Sequence, residues 1–176
     1  LQLYRYVATL AGTSHEMSLP LPMMNVMNGG QHAAGSTDVQ EYMIIPTGAK
    51  TFAEALEMGT HVFHRLSKVL LDAGYQTTVG DEGGYAPRVK NGNREPLQHI
   101  MDAIQTAGLR PGKDISLGLD VASSEFYKDG VYDLSSEGRK VSADDLINWY
   151  AGLTDKFPIV SLEDGLDESD WSHWVK

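Results

Sequence analysis

Apolar residues recur at the three- and four-residue spacing of an α-helix in three stretches of the chain. The first stretch predicts a helix between Thr51 and Gly74, with Thr51 as N-cap and Glu54 placed to complete a capping box. The second predicts a helix from Glu95 to Gly108. We expect the apolar stripe of each helix to face a core. The stripe of the first helix consists of Leu56, Val62, Phe63, Leu66, Val69 and Leu70.

A third helix is predicted after Ser142, because Asp145 stands where a capping box requires an acceptor. Its stripe ends near Phe157. Residues 168–176 (ESDWSHWVK) are typical of the first turn of a further helix. We therefore expect the sequence to be a segment of a longer protein.

Short apolar runs between these helices predict buried strands. They lie at residues 115–119 (ISLGL), 159–162 (IVSL) and 39–45 (VQEYMII). Residues 127–134 (YKDGVYDL) predict a β-hairpin, because an Asp-Gly pair favours a tight turn. Strands that alternate with capped helices favour an α/β fold with a largely parallel sheet, as either a barrel or an open sheet.

Composition narrows the classes of function. The chain has 24 acidic and 14 basic residues and a formal charge of −10, which disfavours binding to phosphate backbones or anionic membranes. It has no cysteine, which excludes disulfides and thiolate chemistry. No apolar run approaches the length of a membrane span. We expect a cytoplasmic protein with no nucleic-acid partner and no membrane span.

Two of the predicted strands end in an acid. Asp120 follows ISLGL, and Glu163 follows IVSL. In an α/β barrel the carboxyl ends of the strands converge on one face, so these carboxylates would share a site and would repel each other without a cation. Carboxylate oxygens are ligands that Mg²⁺ uses. From spacing alone, a helix cap or a solvated position for each acid remains open.

A glycine-rich loop carries a second pair of acids. Residues 79–87 (VGDEGGYAP) place Asp81 and Glu82 among three glycines. One interpretation is a solvated turn, in which Asp and Gly are common. The other is a backbone made permissive so that a carboxylate can approach another group closely.

A further polar cluster lies early in the chain, at residues 25–32 (NVMNGGQH), and Gln40 and Glu41 follow it. A histidine after a Gly-Gly turn is more often structural than catalytic, and this interpretation of His32 remains open. Glu41 is more informative, because a carboxylate within an apolar strand needs a partner or a cavity.

Five motifs in order make the chain resemble a known family. They are residues 23–33 (MMNVMNGGQHA), 39–52 (VQEYMIIPTGAKTF), 79–87 (VGDEGGYAP), 119–127 (LDVASSEFY) and 158–171 (PIVSLEDGLDESDW). Together they resemble the enolases, or phosphopyruvate hydratases, of the bacterial type. The resemblance implies part of an enolase-type (β/α)8 barrel whose strand order is irregular at its start. Residues 1–19 would end the N-terminal domain, and residues 20–176 would begin the catalytic barrel.

The activity that this resemblance implies is the Mg²⁺-dependent, reversible dehydration of 2-phosphoglycerate to phosphoenolpyruvate in glycolysis. This hydro-lyase reaction needs charge neutralisation by metal ions and an acid for the leaving hydroxide. By resemblance, Glu82 is the proton donor, and Glu41 belongs to the same hydrogen-bonding network. The implied substrate-binding residues are His32, Gln40, Glu41 and Glu163, and the implied metal ligands are Asp120 and Glu163.

Other groups of the family's site have no counterpart in these residues. The lysine base, the third metal carboxylate and the phosphate ligands are expected outside residues 1–176, so we expect the segment alone to be inactive. The resemblance also implies a homo-oligomer, either a dimer or an octamer. Two alternatives stay open: another reaction of the superfamily, and a non-catalytic binding or surface-displayed protein with this fold. The first is disfavoured because such relatives are expected to carry a lysine where this chain has Gly-Asp-Glu-Gly-Gly.

Overall fold

The computed structural model describes residues 1–15 and 17–176; Glu16, within the predicted 1–19 segment, lies outside the described residues. The main sheet contains four strands in the order β1-β2-β3-β7, and a smaller sheet contains β4-β5-β6. In chain order the elements are α1 (Leu3–Leu10), β1 (Met24–Asn28), β2 (Glu41–Ile45), α2 (Phe52–Asp72), α3 (Arg94–Thr106), β3 (Ser116–Asp120), β4 (Tyr127–Lys128), β5 (Val131–Leu134), β6 (Arg139–Val141), α4 (Ala143–Thr154), β7 (Ile159–Glu163) and α5 (Trp171–Trp174).

The predicted α/β class is confirmed, but the prediction of a largely parallel sheet is wrong for this part of the chain. Strand β2 is antiparallel to both β1 and β3, and only the β3–β7 pair is parallel. Connectivity explains the difference. Two helices, α2 and α3, lie between β2 and β3 and return the chain to the end it left, whereas the single helix α4 carries it back for a parallel pair.

The core lies between one face of the main sheet and the helices. Tyr42 and Ile44 of β2 and Leu117 and Leu119 of β3 are all fully buried on this face. The line of α2 that faces them consists of Ala55, Gly59, Val62, Leu66 and Leu70. Leu56 was expected in this stripe, but it is 45% exposed because it lies one residue, or about 100° of rotation, away from Ala55.

The helix caps follow the sequence closely. The Thr51 hydroxyl accepts a hydrogen bond from the backbone N–H of Glu54, as predicted. The Glu54 carboxylate accepts from the N–H of Lys50 rather than from that of the cap itself, so this capping box is displaced by one residue. At α4 the full capping box between Ser142 and Asp145 is present. These contacts satisfy N–H groups that the first turn of a helix leaves without partners.

The predicted hairpin is present, with Asp129 and Gly130 at its turn. Both have positive φ, 52° and 85°, which is the geometry that suits a two-residue connection between twisted strands. A third strand, β6, extends this hairpin and was not predicted, because residues 139–141 (RKV) are mostly polar. The small sheet forms most of the connection between β3 and α4.

Strand β7 forms an edge of the main sheet in the described chain. Val160 is 62% exposed and Leu162 is 38% exposed, although both belong to an apolar strand. None of the residues of α1 is buried. Within the described part of the chain, no helix combines the length and apolar character needed to cross a bilayer.

Candidate active site at the strand ends

Four strand ends place polar side chains in one row. The registers pair Asn28 with Glu41, Glu41 with Asp120, and Asp120 with Glu163. Residues directly opposite each other in a sheet point to the same face, and neighbouring strands lie about 4.8 Å apart, so the row spans roughly 14 Å. Since β2 runs antiparallel to its neighbours, its first residue lies level with their last residues. The two acids expected to meet, Asp120 and Glu163, are adjacent.

The backbone just after these acids is strained. Ala122 and Asp164 both adopt left-handed conformations, with φ of 49° and 46°. Such conformations cost on the order of 1 kcal/mol or more in non-glycine residues and persist where surrounding contacts enforce them. Here the buried Ser123 donates to the Asp164 carbonyl from its N–H, at 3.0 Å, and from its hydroxyl. These contacts tie the loop after β3 to the loop after β7.

The pKa of the Asp120 carboxyl is raised above its ordinary value because Asp120 is partly buried and lies close to Glu163. Burial raises the pKa of its carboxyl, and the negative charge of Glu163 raises it further. The N–H of Ala122 partly offsets both effects by donating to Asp120 Oδ1 at 3.1 Å. A cation between the two carboxylates would relieve their repulsion, and oxygen donors of this kind suit Mg²⁺.

The glycine-rich loop docks on the outer edge of β1. Two hydrogen bonds close its turn. The N–H of Gly83 donates to the carbonyl of Gly80 (3.0 Å), and the N–H of Gly80 donates to the carbonyl of Gly84 (2.9 Å). A Cβ atom on Gly80 would lie 2.5 Å from Asn28 Nδ2, and one on Gly84 would lie 3.0 Å from the Oδ1 atoms of Asn25 and Asn28. Glycine is required here because the loop backbone lies directly against these two amides.

Tyr85 anchors the same loop to the core. Its N–H donates to the Val26 carbonyl at 2.9 Å, and its carbonyl accepts from the N–H of Asn28 at 2.8 Å. Its ring stacks on Phe63 of α2, with the centroids 4.4 Å apart and the planes 9° from parallel. The loop is therefore held on β1 and α2 while Glu82 projects from its tip. Asp81 is simply exposed.

His32, Glu41 and Glu82 form the second half of the site. His32 Nδ1 lies 3.5 Å from Glu41 Oε1 and 3.7 Å from Glu82 Oε2. The Gly-Gly turn that precedes His32 packs closely, because a Cβ atom on Gly29 would lie 1.7 Å from Thr37 Oγ1. One ligand atom from each of the three residues lies within 4.8 Å of the others, so the group could also hold a metal ion.

Gln40 contacts the site through its backbone, and its side chain makes no hydrogen bond to this group in the described chain. Its carbonyl accepts from the N–H of Gly29 at 2.8 Å, which fixes the start of β2. Its side chain makes no hydrogen bond to His32, Glu41 or Glu82 in the described chain. The structure therefore brings five of the six sequence-predicted site residues into two neighbouring clusters and places Gln40 beside them.

The pKa values of Glu41 and Glu82 shift in opposite directions. Burial raises the pKa of Glu41 to about 8, and the hydrogen bond to Glu82 and the charges of Glu82, Asp120 and Glu163 add to the shift. The pKa of Glu82 is lowered, chiefly by the hydrogen bond with Glu41. The exposed fractions of the two side chains, 14% for Glu41 and 49% for Glu82, agree with this assignment. At neutral pH the proton therefore rests on the more enclosed carboxyl, Glu41.

Asn25 and Asn28 also belong to this site, although the sequence alone predicted no role for either residue. Asn25 Nδ2 donates to Asn28 Oδ1 at 2.6 Å and to Glu82 Oε2 at 3.4 Å. Asn28 is 1% exposed and donates from Nδ2 to the Gly84 carbonyl at 3.2 Å. The signal available in the sequence was the pair of amides in NVMN, within a run that is otherwise apolar.

A comparison with known protein families matches residues 16–176 to the family described as Enolase, C-terminal TIM barrel domain. The match includes the whole main sheet, helices α2 to α5 and every site residue named above. The four-stranded sheet with helices on one face is thus part of an enolase-type barrel, as the sequence motifs predicted. The domain boundary at residue 19 stays a prediction. The chain belongs to the family of enolase C-terminal TIM barrel domains, within the enolase superfamily of enzymes.

Proposed function

We propose that the intact protein is an enolase of the bacterial type, which reversibly dehydrates 2-phosphoglycerate to phosphoenolpyruvate with Mg²⁺. The carrying observation is the division of one site into two parts. Asp120 and Glu163 form a carboxylate pair on β3 and β7, and Glu41 and Glu82 form a second pair beside His32, in which the pKa of Glu41 is raised. Removing a proton next to a carboxylate needs charge neutralisation, and expelling hydroxide needs an acid.

Asp120 and Glu163 would hold the Mg²⁺ ion. They offer oxygen donors on rigid, neighbouring strand ends, and their mutual repulsion is the kind that a divalent cation removes. When bound, the ion would neutralise the negative charge that develops on the substrate carboxylate. The protein's own part is to keep the two carboxylates at a fixed separation through the tied loops after β3 and β7.

Glu82 would give the proton to the leaving hydroxide. It projects from the docked glycine loop and is half exposed, so a substrate can reach it. Glu41 holds the proton of the pair at rest and would pass it to Glu82 through their hydrogen bond. Because the pair already holds a proton at neutral pH, its net charge is lower than that of two free carboxylates, which favours proton transfer over a cation here.

The lysine base and the phosphate ligands would come from parts of the protein outside residues 1–176. The position of β7 supports this proposal, because β7 is an edge strand in the described chain and a further strand paired with it would provide another strand end beside Glu163. We also propose a cytoplasmic homo-oligomer, either a dimer or an octamer. A second, surface-displayed pool of the protein is compatible with the same fold.

The direct test is to incubate the purified intact protein with 2-phosphoglycerate and follow phosphoenolpyruvate, with Mg²⁺ and then with a chelator. We expect product formation that requires Mg²⁺. Exchange of the substrate's α-proton without dehydration would instead favour another superfamily reaction. Absence of both exchange and dehydration would favour the non-catalytic alternative.

A further inference from the structure

Two asparagine side chains of β1 connect the backbone of the glycine loop, at Gly84, to the carboxylate of Glu82 in the same loop. A β-bulge between Asn25 and Met27 shifts the register of β1, so that Asn25 and Asn28 lie on the same face although they are three residues apart. In a regular strand, residues at this spacing would point to opposite faces. The bulge thus brings both amides to the Glu82 side of the sheet.

The orientation of both amides follows from one backbone group. The Gly84 carbonyl can only accept, so Asn28 must turn Nδ2 toward it, at 3.2 Å. Asn28 Oδ1 then faces Asn25. Because this oxygen can only accept, Asn25 must donate to it from Nδ2, at 2.6 Å. The same Nδ2 group lies 3.4 Å from Glu82 Oε2. Glu82 is therefore offered a donor whose direction the loop backbone fixes.

This orientation leaves one atom of Asn25 without a hydrogen bond among the described residues, but the opposite orientation would be worse. Asn25 Oδ1 is buried and accepts no hydrogen bond in the described chain. A buried acceptor without a hydrogen bond lowers the stability of the fold. Rotating the amide to rescue it would place an oxygen against Asn28 Oδ1 and Glu82 Oε2, which are both acceptors.

We propose that Asn25 is a positioning residue that holds the Glu82 carboxylate in place for proton transfer, and that Asn28 and the Gly84 carbonyl orient Asn25. This inference rests on the proposed dehydration. Asn25 is not a catalytic residue, since it acts through Glu82. His32 Nδ1 lies 3.7 Å from the same oxygen, Oε2, which is beyond hydrogen-bond distance, so Asn25 is the donor that contacts this oxygen.

The test compares two rates in the intact protein with 2-phosphoglycerate and Mg²⁺: dehydration, and exchange of the α-proton with solvent. Glu82 serves the first and a different group serves the second. Asn25→Ala should lower dehydration about ten- to a hundredfold, because a small displacement of a catalytic group has effects of that size. Exchange and KM should change much less. Asn25→Ser, which keeps a donor, should restore part of the loss.

Asn148→Ala is the matched control, because Asn148 is exposed on α4, and it should leave both rates unchanged. Partial unfolding would scale exchange and dehydration equally, so their ratio reports positioning even in a destabilised variant. An unchanged ratio in Asn25→Ala would overturn the role of Asn25 while wild-type dehydration stood. A wild-type protein without dehydration would overturn the proposed function itself.

Discussion

Replacing Asn93 with alanine should destabilise the fold by about 3 kcal/mol. Asn93 is 1% exposed and precedes α3. Its Oδ1 accepts from the backbone N–H groups of Asp38 (2.8 Å) and Val39 (3.1 Å). Its Nδ2 donates to Asp38 Oδ2 (2.9 Å) and to Glu137 Oε1 (3.1 Å). This single side chain fixes the segment that leads into β2 and its site residues.

The magnitude follows from what the substitution leaves behind. The N–H groups of Asp38 and Val39 are in buried residues and would lose these acceptors, at about 1–3 kcal/mol each. The Asp38 carboxylate keeps donors from Ser135 and Ser136, so its charge stays satisfied. Asn93 makes no side-chain cap on α3, so no capping energy is lost. Water that enters the vacated space can partly replace Asn93 Oδ1 as an acceptor, so the lower end of the expected loss in the free energy of unfolding is about 2 kcal/mol.

Urea denaturation followed by circular dichroism measures this loss. The matched control is Asn91→Ala, an exposed asparagine in the same loop, which should stay within about 0.5 kcal/mol of wild type. A loss below about 1 kcal/mol for Asn93→Ala, or one equal to that of the control, would refute the claim that these N–H groups depend on Asn93.

Two further predictions concern the metal site and an ion pair. Asp120→Asn and Glu163→Gln should each raise the Mg²⁺ concentration that the intact protein needs for activity, as titrations of activity with Mg²⁺ would show. The double variant should be little worse than either single variant, because the first change already disables the site. Unchanged Mg²⁺ dependence in both single variants would mean that each acid only caps a helix or faces solvent. Arg110 binds Asp114 through two hydrogen bonds and lowers its pKa from 3.8 to about 2, so the stabilisation is present above pH 3.8 and is lost as the pH falls toward 2. Arg110→Gln should flatten the free energy of unfolding over that window, and an identical pH profile would contradict this.

Local chemistry explains what the sequence could predict. The Ser142–Asp145 capping box and the Asp129–Gly130 turn depend on residues within a few positions of each other, and both are present. The loop at residues 88–94 has the composition of a disordered segment, yet it contains the buried Asn93. The side chain of Asn93 is held by partners more than 40 residues away, which a local pattern does not contain.

Long-range register explains most of what the sequence could not predict. Strand β1 was not identified because Asn25 and Asn28 interrupt its apolar residues. Those amides became interpretable only once the bulge placed them on one face. The family resemblance selected Glu41 and Glu82, but the resting position of their proton depends on their burial, which spacing does not give.

We propose that Glu82 receives a proton from Glu41 and gives it to the leaving hydroxide, while Asp120 and Glu163 hold the metal. Glu82→Gln in the intact protein tests it most directly, because the substitution removes the acid but keeps the shape. With Mg²⁺ and 2-phosphoglycerate, dehydration should fall on the order of 10²-fold or more, while α-proton exchange survives far better. An equal fall in exchange and dehydration, or dehydration at the wild-type rate, would contradict the account.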